Sequence, residues 1–126
     1  MEVATPLPTT VPELLRAAAR QVRVLGYACG IRHTFDGRVC AIGAIESALN
    51  GTNAENSPLA VDAIVAMSRH ITKGTAVRFD SSSHMVNVAA WSNSLEPWLG
   101  GEQHAAEALA VAFEAAAAHL EAGKGA

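Results

Sequence analysis

From Glu102 to Ala122 the chain runs for 21 residues without a glycine or proline, and ten of them are alanine. Alanine has the highest helix propensity and a poor strand propensity, so this segment predicts one long helix. At 100° per residue, Leu109, Phe113, Ala116 and Leu120 form its main apolar arc, and Glu107, Glu114 and Glu121 form a narrow acidic stripe. Most of the remaining perimeter is also small and apolar: Ala108, Val111, Ala112, Ala115 and Ala118. A helix this apolar sits at the centre of its fold or in an interface. The bias extends to the whole chain, where alanine fills 26 of 126 positions and aromatic residues make up only 5%. The length suits one domain with a real core, and the expected class is a mainly α, compact bundle of about four helices.

The rest of the chain punctuates itself. Residues 1–9 read as a flexible arm and 10–122 as the helical domain, with 123–126 as a frayed end. Thr10, Pro12 and Glu13 supply an N-cap, a first-turn proline and a capping-box acid. The helix they start runs to about Leu25 and stops at Gly26, with Leu14, Leu15, Ala18, Ala19, Val22 and Leu25 inward. Arg16, Arg20 and Arg23 share the opposite face. Asp36-Gly37 signals a turn, within a hairpin or a plain loop. A second helix is expected from Cys40 to about Leu49, closed by Asn50-Gly51. Gly43 lies off its apolar face, where a missing side chain lets a neighbouring backbone approach. Ser57-Pro58 starts a third helix through about Ile71, with Leu59, Ala60, Ala63, Ile64, Met67 and Ile71 inward. The stretch 75–100 is irregular. Residues 76–79 read as a short strand, and Met85 to Trp91 fit helix and strand spacing equally, leaving room for a small β element.

Charge and termini narrow the function classes. Nine basic and twelve acidic residues leave a net charge of −3, which argues against nucleic acid as a partner. Internal pairing of opposite faces is the simpler account of the arginine stripe, with an acidic partner as its alternative. No apolar run approaches the roughly 18 residues that span a bilayer. The first residues show no basic and apolar signal segment, so a cytoplasmic setting and two reduced thiols, Cys29 and Cys40, are expected.

One segment is distinctive: Gly37-Arg38-Val39-Cys40-Ala41-Ile42-Gly43-Ala44-Ile45. Together with Gly26-Tyr27 before it and Trp91-Ser92-Asn93 after it, this order resembles a family of small uncharacterised proteins from actinobacteria and their phages, which carries a domain of unknown function. The likeness extends from about Val11 to Ala122, and its Cys-Ala-x-Gly-Ala centre is its most specific part. Where the family tends to have Trp-Asn-Asp, this chain has Trp91-Ser92-Asn93. The resemblance implies an actinobacterial or phage setting and no particular activity.

Two kinds of site are conceivable from the residues. Cys40 opens a predicted helix, where the dipole lowers a thiol pKa. His84 and Asn93 (or Asn87) complete the order Cys, His, Asn of compact cysteine hydrolases and transferases. The competing account makes Cys40 a small buried hydrophobe beside Ala44 and Ala48. Cys29, His33 and Cys40 lack the paired short spacings of a zinc site, so no metal or cofactor is expected. The other kind of site is a recognition surface, formed by Trp91 and Trp98 if they are not core anchors, and by Val111 and Ala115 on the last helix. No complete catalytic set is visible. The sequence therefore favours a binding or regulatory protein, phage-encoded and acting on a host protein in the fullest version. Its partner would be another protein or a second copy of itself, with the cysteine enzyme as the alternative.

Overall fold

The first helix shows how closely local chemistry sets the element boundaries. The computed structural model describes residues 7–28, 31–72, 84–95 and 101–124. Helix α1 spans Val11–Leu25. Thr10 caps it by accepting the Glu13 amide at 3.3 Å, while the Glu13 carboxylate reaches back to the Thr9 amide at 3.2 Å. Gly26 ends it at φ 95°, a left-handed conformation that side chains resist, with its N–H bonded to the Val22 carbonyl.

Four more α-helices follow among the described residues: α2 (Ala41–Ala48), α3 (Pro58–Thr72), α4 (His84–Asn93) and α5 (Glu102–Lys124). A short 3-10 turn, Ala54–Asn56, precedes α3. Helix α2 closes through Asn50 (φ 59°) and Gly51 (φ 84°). Ser57 Oγ accepts the Ala60 amide at 3.1 Å and so caps α3.

The fold is mainly helical, as expected, but it differs in detail. The ambiguous 84–93 segment is a helix, one of five among the described residues. Its Val88 and Ser92 are buried, so tertiary packing decides what periodicity left open. The strand expected at 76–79 lies outside the described residues. Among the described residues β character is confined to isolated bridges pairing Val39 with Tyr27 in parallel and with His33 in antiparallel sense. Around the Asp36-Gly37 turn, the Thr34 amide donates to the Arg38 carbonyl at 2.8 Å. The last helix continues through Gly123 to Lys124 instead of stopping at Ala122.

Helices α1 and α5 form the most extensive helix pairing among the described residues. They run antiparallel: Arg16, early in α1, meets Glu121, late in α5, and Arg23 meets Glu114 and Glu107. The inward residues of both, Leu14, Leu15, Ala18 and Val22 of α1 and Leu109, Phe113 and Ala116 of α5, belong to one core and are essentially without solvent contact. Helix α2 packs on α1 from another side, with every residue from Ala41 to Glu46 buried. The inward face of α3, from Ala60 to Ile71, completes the core.

Candidate functional site

The distinctive segment builds a clamp rather than a cleft. Gly43 meets the backbone of the 31–34 loop at a distance no side chain would allow. A Cβ added there would lie 1.9 Å from the Arg32 carbonyl oxygen and 2.8 Å from its carbon. The close approach foreseen for this glycine is thus filled by a loop from the same chain. One turn further along α2, Glu46 is buried to 4% side-chain exposure and receives that loop. Its Oε2 accepts from Arg32 Nη1 at 3.0 Å and from the Ala54 amide at 2.9 Å, and its Oε1 faces His33 Nε2 at 3.0 Å. Arg32 also grips Glu55 at 2.8 Å, which holds the Glu55 carboxyl below its ordinary range and raises the Arg32 guanidinium. A buried carboxylate must be paired or hydrogen-bonded to persist, and Glu46 has both. Sequence reasoning passed over Glu46. The signal was a lone acid inside an otherwise small or apolar eight-residue helix, three residues after its glycine.

Cys40 stands at the N-cap of α2 in extended conformation, free and only 3% exposed. Burial pushes its thiol up. The amides of Gly43 and Ile42, which face the sulfur, oppose that shift without overcoming it. The first amide of the helix is capped from a distance: Ala41 N donates to Ser92 Oγ of α4 at 3.2 Å. Tyr27 donates its hydroxyl proton to the Ser92 carbonyl. The three pieces that carried the resemblance therefore converge, with Tyr27, Cys40 and Ser92 all buried at one end of α2. His84, at the start of α4, is part-buried and places Nδ1 2.9 Å from Ser68 Oγ on α3. Asn93 is half-buried on the last turn of α4. Among the described residues no hydrogen bond joins Cys40 to His84. Cys29 lies outside them, and among them no three acids, histidines or cysteines are grouped to hold a metal ion.

The arginine stripe meets the acidic stripe. Arg16 makes a two-pronged pair with Glu121 at 2.6 Å for each contact. Arg23 bridges Glu107 and Glu114 at 2.6–3.0 Å. These contacts raise both guanidiniums, and Arg23 holds the two glutamates below their ordinary range. Arg20 is exposed. Of the recognition residues, Trp91 is half-buried against the core, Val111 is 50% exposed and Ala115 is exposed. Trp98 lies outside the described residues.

A cleft of about 700 Å³ opens where the start of α1 meets α3 and α5. Its apolar lining includes Val11, Leu59, Val65, Ala66, Ala116 and Leu120. Of these, Val11, Leu59, Val65, Ala66 and Leu120 remain half-exposed. Asp62, Arg69, His70 and His119 add polar groups around it. The volume is in the range of ligand sites.

Fold and site together define a small helical protein built around an internal clamp, with the buried thiol of Cys40 and an open apolar cleft. The chain belongs to a family of unknown function (DUF6197), whose model matches residues 6–119. Searches of curated proteins and of solved structures give no match. No helix among the described residues is long and apolar enough to cross a membrane.

Proposed function

We propose that this protein is a non-enzymatic binding protein that receives a protein partner in the cleft between α1, α3 and α5. The observation that carries this reading is the half-exposed apolar lining, Val11, Leu59, Val65, Ala66 and Leu120, gathered in one concavity. Apolar groups left in contact with water at the centre of a concave, polar-rimmed surface gain free energy when a partner covers them. The clamp of Gly43 and Glu46 then serves as scaffold. A cytoplasmic, phage-encoded protein acting on an actinobacterial host protein is the fullest form of the proposal. A second copy docking on Val111 and Ala115 of α5 is its homodimeric form.

The cysteine hydrolase or transferase, using Cys40, His84 and Asn93, is the weaker reading. A nucleophilic thiol needs access and a depressed pKa; Cys40 is enclosed and its thiol is pushed up.

Photocrosslinking in a producing cell tests the proposal. With benzoylphenylalanine at Val65, a discrete adduct with one other protein is expected, and Ala66→Arg should remove it. Adducts from Val111 alone would move the surface to the outer face of α5. No adduct from either position would overturn the binding reading.

A further inference from the structure

His33 is held by one ring nitrogen and open at the other. Its Nε2 lies 3.0 Å from Glu46 Oε1. The second oxygen of Glu46 is taken by two donors, Arg32 Nη1 and the Ala54 amide, so the carboxylate meets His33 as an acceptor. The ring proton therefore sits on Nε2 and the lone pair on Nδ1. Among the described residues Nδ1 has no partner. The His33 side chain is 46% exposed, whereas that of Glu46 is 4% exposed. A buried carboxylate that fixes the tautomer of an accessible imidazole is how histidine bases and nucleophiles are oriented. His104 and His119 are exposed too, but among the described residues no carboxylate holds either ring.

The surroundings select the electrophile. Arg32 and Arg38 are set against three carboxylates, Glu46, Glu55 and Asp36, so an anionic donor finds no excess of positive charge at this loop. Ile31 and Phe35 stand two residues either side of His33, each at most about 7 Å away along the chain. Both are exposed, Phe35 fully. We propose that His33 is a modification site that accepts an acyl group with an apolar chain from a neutral activated donor, an ester or thioester. Nδ1 attacks the acyl carbon. The carbon–nitrogen bond forms as the bond to the leaving oxygen or sulfur breaks, and that atom departs with the electron pair. The Nε2 proton passes to Glu46 Oε1, so the acylated ring is neutral. Ile31 and Phe35 give the acyl chain an apolar surface to lie on.

Diethyl pyrocarbonate at pH 8, where ordinary imidazoles are neutral, tests the nucleophile against two controls in the same chain. Peptide mass spectrometry should find His33 carbethoxylated about tenfold faster than His104 and His119, the rate equivalent of one hydrogen bond to a charged group. Nitrogen NMR should place the adduct on Nδ1. A His33 rate equal to or below the controls, or an adduct on Nε2, would overturn the proposal whatever the variants do. Glu46→Gln tests the carboxylate. Its amide oxygen should follow Arg32 and the Ala54 amide, which turns its NH2 group to His33 Nε2 and drives the ring proton to Nδ1. The advantage of His33 should then vanish, and an unchanged rate would overturn the part given to Glu46. For the class of donor, 4-nitrophenyl hexanoate should acylate His33 about fivefold faster than the acetate, and Phe35→Ser, at an exposed position, should equalise the two. Equal rates in the wild-type chain would overturn the apolar subsite. Labelling of His33 by phosphoramidate, with both esters leaving it untouched, would overturn the acyl class.

Discussion

Gly43 and Glu46 stand one turn apart on α2 and do complementary work: one makes room for the 31–34 loop and the other holds it. Replacing Gly43 with alanine forces backbone against backbone, and overpacking of this kind costs about 1–3 kcal/mol. Chemical denaturation of Gly43→Ala should show that loss, whereas Gly37→Ala meets no atom within 4 Å and strains only its own positive φ. Glu46→Ala strips the buried Ala54 amide of its acceptor, at a cost of about 1–3 kcal/mol. Glu46→Gln keeps an acceptor oxygen and should recover part of it. Cys40 makes a different test. Its burial and raised pKa predict that alkylation at neutral pH, read by peptide mass spectrometry, is slow in the folded chain and becomes ordinary after unfolding. Fast native alkylation would revive the cysteine enzyme. The room at Gly43 was legible in the sequence because a glycine off the apolar face of a short helix needs a reason. The grip of Glu46 was not, because an acid in a helix ordinarily faces water and the loop that claims it comes from earlier in the chain.

Helix boundaries follow local rules where the chain supplies caps, and tertiary rules where it does not. Thr10, Gly26, Ser57 and Asn50-Gly51 marked α1, α2 and α3 to within a residue or two, because each supplies or frees a backbone hydrogen bond at a helix end. Helix α2 lacks such a residue at its start and borrows Ser92. Ser92→Ala should therefore destabilise the fold by about 1 kcal/mol, the usual worth of an N-cap, although it lies 51 residues from the amide it caps. Helix α4 was illegible by periodicity because its apolar residues fit two spacings, and only the burial of Val88 and Ser92 tells them apart. On α5 the main apolar arc was read correctly, and the arc and the outer perimeter divide sharply between neighbours. Ala115 is exposed and Ala116 is 2% exposed. Ala115→Arg should leave the melting temperature nearly unchanged, while Ala116→Arg, which buries a charge, should abolish cooperative unfolding.

At the scale of the whole molecule, the arginine stripe of α1 and the acidic stripe of α5 resolve into cross-bracing between the two helices. Glu107 and Glu114 titrate below their ordinary value because Arg23 favours the charged form. Their contribution is therefore present above the unfolded carboxylate pKa of about 4.3 and lost as pH falls through the lower folded values. Melting temperature should fall below about pH 4, and Arg23→Gln should flatten that fall. High salt should mimic the substitution at neutral pH, since these pairs are exposed. An unchanged acid profile in Arg23→Gln would mean that the bracing contributes nothing. The same pairing has a consequence in time. Arg16 and Glu121 are 105 residues apart, so at 5–20 residues per second α1 leaves the ribosome roughly 5–20 s before the helix that covers it. Through that interval the core that buries Leu14, Leu15, Ala18 and Val22 lacks its α5 side, and a nascent chain arrested before α5 would present unfinished apolar surface to chaperones and proteases.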